Sequence, residues 1–379
     1  KKKKTTSLRI SGIWDKLMYE NELMFFRLRA FDANEIYNVI NDRILGVFSS
    51  ALFLRRFYKQ TKKFDLIIAE SFKGALIALF FPFNIPFVWR QYGSTFGTEL
   101  LNRKSSIKTR IKKYLYKKIS FSKKCQSIIV TLDGCLNKTL YENMLKVPKN
   151  KMRYIYNPKV DIEASVNTNE KSNNKDEFVI TQLGRITPWK KIHLTLKAIK
   201  KIIDQENALK IKFTIAGTIS DKDYHNQLVQ YIKNNELENY VYFKYDLDQN
   251  EVANTFFYSD VSISLTAYSP VIESLTMNTP VIVYNWGEVD EQFDDFENVE
   301  IIGREIRKES LLTQAEETQI AEELAEKIME AYKKRNFIRN LEHDNKLLDE
   351  RFPTLEESIE IGYQYYKEII DKISGSESR

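Results

Sequence analysis

Residues 178–216, FVITQLGRITPWKKIHLTLKAIKKIIDQENALKIKFTIA, decide the fold. Residues 178–183 and 211–216 are short apolar runs rich in β-branched side chains, as strands require. Between them, residues 192–203 repeat apolar side chains at helical spacing. Strand, helix and strand in that order make a βαβ unit, whose two strands lie parallel.

The alternation continues in both directions. Downstream, helices are expected over 225–234, 251–258 and 271–277, and strands over 241–243, 261–265 and 281–284. Upstream, strands are expected over 64–69, 86–89, 127–131 and 152–156. A small-residue turn over 71–74 leads into an apolar helix, and further helices are expected over 103–124 and 136–143. Earlier still, 14–28 and 52–58 have helical patterns and 35–40 that of a strand. Residues 161–176, DIEASVNTNEKSNNKD, are polar and without period, as a linker is. The fold class is therefore α/β, with two Rossmann-like, doubly wound parallel sheets facing a cleft. The divisions are a basic first domain over 1–160, the linker, a second domain over 177–352, and a closing helix and tail over 353–379. Amphipathic helices are expected over 317–333 and 355–372, and the SGSESR tail of 374–379 reads as disordered.

Composition excludes several classes. The 379 residues are 43% hydrophobic and 29% charged, as in ordinary globular proteins. Two isolated cysteines, Cys125 and Cys135, and three scattered histidines give no disulfide framework and no zinc-ligand spacing. The most apolar stretch, 74–89, is broken by Pro82, Asn84 and Pro86, so it reads as core and not as a membrane span. With no secretory pattern after the four opening lysines, the expected compartment is the cytoplasm.

The net charge of +6 hides a division. Residues 1–160 carry 32 Lys/Arg against 11 Asp/Glu, and the remainder carries 26 against 41. Ten of the cations fall within 103–124, which has no acid. There Ile107, Ile111, Leu115 and Ile119 form a helical stripe expected to pack on its own domain. The cationic face is left to meet an anion. Nucleic acid would leave a recognisable module, and none is present. An anionic membrane surface, reached peripherally from its inner face, is the preferred partner.

Three features of the second domain converge on a diphosphate. Gly184-Arg185-Ile-Thr-Pro188-Trp-Lys190-Lys191 follows a strand; the glycine permits close approach, Arg185 offers a fork of donors and Lys190 a point charge. In Tyr268-Ser269-Pro270-Val271-Ile-Glu273, Ser269 suits an N-cap and Pro270 the first helical position. The free N–H groups of such a helix start attract an anion. Glu273 comes one residue too late for a capping box, which leaves its carboxylate for a ribose diol. Thr279-Pro280 makes a tight turn that orients the sheet behind this helix. Two D-x-D pairs, Asp221/Asp223 and Asp246/Asp248, read as chance features of an acidic domain and not as a metal site.

The order Leu183-Gly-Arg-Ile-x-Pro-x-Lys190, Phe213-Thr-Ile-Ala-Gly217, Val241-Tyr-Phe243 and Glu273-Ser-Leu-x-Met-x-Thr-Pro-Val281 resembles the retaining GT-B enzymes of glycosyltransferase family 4. Asp65-Leu-Ile-Ile-Ala-Glu-Ser71, Pro86-Phe-Val-Trp-x-x-Tyr-Gly93 and Tyr154-Ile-Tyr-Asn-Pro158 are similar to segments of its acceptor domain. The resemblance implies a nucleotide-sugar glycosyltransferase that needs neither cofactor nor metal. Arg185 and Lys190 would hold the diphosphate as the catalytic cations. Gly184, Glu273 and the Tyr268, Ser269, Pro270 and Val271 segment would complete the donor site. Tyr92, Gly93 and Ser94 would lie on the acceptor side, and the last helix would cross back to the first domain. A glycan or lipid-linked molecule would accept the sugar, in synthesis of cell-surface polysaccharide or glycoconjugate. The chain departs from the family at Leu265, where an acid is usual, at Tyr92, where histidine is, and at Asn278, where glycine is. These departures suit the alternative of a non-catalytic subunit that binds a partner transferase.

Overall fold

The computed structural model describes residues 66–93, 96–101, 106–159, 177–205, 209–266, 268–304, 312–334 and 341–377. The elements expected over 14–58, the linker over 161–176 and Ser94 lie outside these described residues.

Two wholly parallel sheets are present. The first runs β1 (Ile67–Glu70), β2 (Phe87–Gln91), β3 (Cys125–Leu132) and β4 (Met152–Tyr156) in simple order. Its core is an aromatic knot: Trp89 lies 5.1 Å from Tyr116 and 5.6 Å from Tyr141, and Phe96 lies 4.4 Å from Tyr116. The second sheet has the order β10-β9-β8-β5-β6-β7. Its strands are β5 (Phe178–Leu183), β6 (Ile211–Ala216), β7 (Val241–Lys244), β8 (Val261–Ser264), β9 (Val281–Tyr284) and β10 (Val299–Ile302). The chain enters this sheet at its centre, builds outward to β7, and returns to β8 beside β5. Successive helices therefore leave from β5 and β8 toward opposite sides, and a crevice opens at the carboxyl ends of these two strands.

Helix Ile192–Gln205 shows why the opening segment folds as it reads. Its Leu194, Leu196, Ala198, Ile199 and Ile202 are buried, while Lys197 and Lys201 reach Glu317 and Glu322 of helix Gln314–Lys333 at 2.8 and 3.0 Å. Helix Leu355–Glu377 belongs by packing to the first domain, since its Tyr366 and Ile369 join Val88, Ile129 and Ile155 in one apolar cluster. The expected crossing back is present.

Several expectations are corrected. The turn expected over 71–74 is already helix: the chain bends sharply at Ser71, which takes φ +63°, and the helix runs Ser71–Phe80. The helix expected over 136–143 begins as α-helix at Asn137–Thr139 and widens to a π-helix at Leu140–Met144. The closing helix continues to Glu377, into the tail read as disordered. The stripe of helix Ile107–Ser120 is only half used. Ile119 is buried, but Ile107 is 78% and Ile111 55% exposed, so only the later part of the stripe packs on its domain. Strand β10 and helices Phe96–Leu101, Val289–Phe293 and Leu341–Arg351 were not expected.

Candidate functional site

The crevice at the ends of β5 and β8 gathers the charged residues singled out in the second domain. Gly184, just past β5, donates its N–H to Ala216 O at 2.8 Å, and Gly217 follows β6. A Cβ on Gly217, at φ +144°, would stand 2.0 Å from Gly184 O. Only glycine lets the two strand ends close this tightly.

Next comes the 3-10 turn Pro188–Lys190, stopped by Lys191 at φ +53°. Gln182 on β5 donates to Lys190 O at 2.9 Å and accepts from Thr195 Oγ1 at 2.7 Å, so the turn is tied to both strand and helix. The Lys190 side chain folds back over Gly184; a Cβ there would meet its Cε at 3.1 Å. Burial, and after it the nearby Arg185 cation, lower the Lys190 pKa to about 8 against the opposing pull of Glu273. Arg185 itself is exposed. Burial raises the pKa of Glu273, and Lys190 holds it down. No hydrogen bond engages the Glu273 carboxylate among the described residues. Three charges expected together from sequence thus share one local field.

Helix Ser269–Thr276 starts one residue earlier than expected. Tyr268 takes the cap position, Ser269 is the first helical residue and Pro270 the second, and no side chain caps the end. The reason is Tyr268, whose ring is buried 5.3 Å from Phe293 and 5.9 Å from Phe352 and so anchors the helix start. Of the N–H groups expected free at this end, those of Val271 and Ile272 already donate to Tyr268 O at 3.0 and 3.4 Å, and Pro270 has none. The helix is braced from behind: Ser262 Oγ lies 2.6 Å from Ser274 Oγ, and Thr279 Oγ1 donates to Phe256 O at 2.7 Å. Asn278 adopts φ +53°, a left-handed conformation that asparagine tolerates, so it fills the turn where glycine is usual. Leu265, in contrast, is 1% exposed in the apolar core.

On the first domain, Tyr92 and Gly93 follow β2. Tyr92 is 47% exposed, with the Arg90 guanidinium 5.1 Å over its ring and its hydroxyl donating to Glu70 Oε1 at 3.4 Å. A Cβ on Gly93 would strike Asp133 Oδ2 at 2.4 Å. Asp133 was missed in sequence; its carboxyl accepts from the N–H of Gly93 and of Cys135, and burial raises its pKa. The signal that could have found it is an Asp-Gly pair closing a strand. The next residue, Gly134, packs against Tyr268, Trp286 and Val289 of the second domain. Only Asp133 and Gly134 therefore stand between Gly93 and Tyr268 at the start of helix Ser269–Thr276.

The D-x-D pairs have structural work. Asp221 caps helix Lys222–Asn234, and Asp248 caps helix Gln249–Phe257 in a reciprocal box with Glu251. Among the described residues, no helix is long and apolar enough to cross a membrane.

Comparison with known proteins bears on the fold. Residues 165–343 match the family described as glycosyl transferases group 1. An uncharacterized glycosyltransferase of Methanocaldococcus jannaschii is 27% identical over 185 residues, a match that spans 45% of this chain and 44% of that protein. A glycosyltransferase of Rickettsia africae superposes with a TM-score of 0.64 at 16% identity, over 95% of this chain and 88% of that one. Anabaena HepE, in complex with UDP and glucose, does so at 0.58 and 16%, over 93% and 89%. Sucrose-phosphate synthase of Thermosynechococcus elongatus gives 0.63 at 15%, over 86% and 80%. These likenesses establish the fold: two parallel-sheet α/β domains of the GT-B type.

Proposed function

We propose that this chain, whose residues 165–343 match glycosyl transferases group 1, moves a sugar from a nucleoside diphosphate sugar to a glycan or lipid-linked acceptor. The observation that carries the reading is the convergence of Arg185, Lys190 and Glu273 on the crevice between β5 and β8, beside an uncapped helix start. Breaking a sugar–phosphate bond builds charge on the departing diphosphate. Cations and N–H groups already fixed there stabilise that charge without reorganising, which lowers the barrier more than it tightens ground-state binding. Arg185 and Lys190 do this without a metal. Glu273, unengaged and close to Lys190, accepts the ribose hydroxyls. The Tyr268–Val271 backbone lies against the donor sugar and phosphates, and Tyr92 and Gly93 border the acceptor. The transfer retains the anomeric configuration, with the acceptor hydroxyl attacking from the leaving-group side and the phosphate taking its proton. A structurally similar protein binds UDP with glucose, which favours UDP-sugars as first candidates.

Helix Ile107–Ser120 supports a place for this reaction at the inner membrane surface. Exposed Ile107, Ile111 and Tyr114, with Phe121 just beyond, are interleaved with Lys108, Lys113, Lys117 and Lys118. Apolar side chains that enter the head-group layer and cations that meet its phosphates are the two components of peripheral binding. A lipid-linked acceptor for cell-surface polysaccharide would be presented there.

A thermal-shift panel of UDP-, GDP-, ADP- and CMP-sugars identifies the donor, because a ligand of the folded state raises its melting temperature. With that donor, Arg185→Ala and Lys190→Ala are each expected to lower kcat/KM by roughly a hundredfold or more. Wild-type rates in both variants would overturn the assignment. Donor binding without hydrolysis or transfer to any acceptor would instead favour the non-catalytic subunit.

A further inference from the structure

The short helix that opens at Asn137 has no cap of its own. Its cap residue is Leu136, which offers no side-chain acceptor. The acceptor comes from the other domain: Glu288 Oε1 takes the Thr139 N–H at 2.6 Å, and the Lys138 N–H also reaches this carboxylate. Around that contact the domains interlock. Glu288 N donates to Gly134 O at 2.8 Å. A Cβ on Gly287, at φ +74°, would stand 2.2 Å from the same oxygen. Lys138 pairs with Glu291 at 3.1 Å.

This seam lies between the two halves of the site. On one side Trp286 meets Trp189 edge-on at 5.8 Å, and Trp189 precedes Lys190 in its turn. On the other side Gly134 follows Asp133, which holds the Gly93 N–H. The seam is also incompletely satisfied. Glu288 Oε2 and both amide atoms of Asn137 are buried without a hydrogen-bond partner among the described residues. Buried polar groups left this way carry a desolvation cost that rehydration removes, so the docked arrangement is held against a standing pull to separate.

We propose that Glu288 is a positioning residue, a cap supplied in trans that docks the second domain on the first and so sets the Lys190 turn against the Asp133–Gly93 loop. Its effect on transfer rests on the proposed activity; its effect on domain arrangement does not. The test is a distance measurement by pulsed electron paramagnetic resonance. Spin labels are placed at Lys149→Cys and Lys233→Cys, exposed positions of the first and second domains. The wild-type distribution is expected to be narrow, and Glu288→Ala to shift or broaden it. Because Glu288→Ala could also weaken folding, a charge exchange gives a second reading. Lys138→Glu is expected to disturb the distribution, and adding Glu291→Lys to restore it. In transfer assays Glu288→Ala is expected to lower kcat by about tenfold or more while leaving donor affinity unchanged, since every donor-grip residue lies in the second domain. Distributions for Glu288→Ala and Lys138→Glu that superimpose on wild type would overturn the proposal, whether or not transfer is ever detected. So would donor affinity falling in step with kcat.

Discussion

At the scale of the residue, Lys190 is a cation held half-ready to lose its proton. Its pKa in the folded protein is drawn from 10.5 to about 8, chiefly by burial. Below pH 8 the fold therefore bears the cost of a desolvated ammonium, and stability rises between pH 8 and 10.5 as that cost is relieved. A bound diphosphate reverses the balance by favouring the charged form. Calorimetry of donor binding in buffers of different ionisation enthalpy should show proton uptake at pH 8.5 and little at pH 6.5, with Lys190→Met abolishing the difference. Gly217 is tested by size alone: Gly217→Ala must push apart the ends of β5 and β6, at a cost of about 2 kcal/mol in denaturant unfolding, with loss of the donor-induced thermal shift. Arg185, Lys190 and Glu273 were legible in sequence because each occupies a short local motif whose chemistry needs no distant partner. Asp133 and Glu288 were not, since their surroundings are made by Gly93 and Thr139, which only folding brings near.

At the scale of the element, periodicity gave the repeating units but not always the surface each one covers. Residues 107, 111, 115 and 119 form a stripe in any helix, yet in helix Ile107–Ser120 the first two stand in solvent, since periodicity gives the face and not what covers it. If that exposed end meets lipid, Ile107→Ser with Ile111→Ser should abolish sedimentation with vesicles rich in phosphatidylglycerol and leave donor binding intact; unchanged sedimentation would exclude this helix as the contact. Strand β10 escaped notice because its short apolar run, Val299-Glu300-Ile301-Ile302, is broken by an acid and follows a strongly acidic stretch. The acidic pairs gain their meaning from the helices they begin. Asp221→Ala and Asp248→Ala should each lower stability by about 1 kcal/mol through loss of a cap, with turnover unchanged. A collapse of turnover in either would point to chemistry at these positions.

At the scale of the whole molecule, alternation of strand and helix was enough to require parallel sheets, and the return of the chain to β8 beside β5 places the crevice. The relation of the domains was not readable, because it is fixed by a few contacts between segments about 150 residues apart, such as Thr139 with Glu288. The same long reach governs how the protein is made. Val88, Ile129 and Ile155 lie in the first sheet, but the side chains that cover them, Tyr366 and Ile369, are synthesised about 200 residues later, after the second domain has emerged and can already fold. A chain cut after Phe352 should bind a dye specific for exposed apolar surface and be held by chaperones, and helix Leu355–Glu377 added as a separate peptide should reverse both. On the ribosome, the earlier of these two domains is then finished only after the later one has been made, and until helix Leu355–Glu377 emerges its apolar face stays bare.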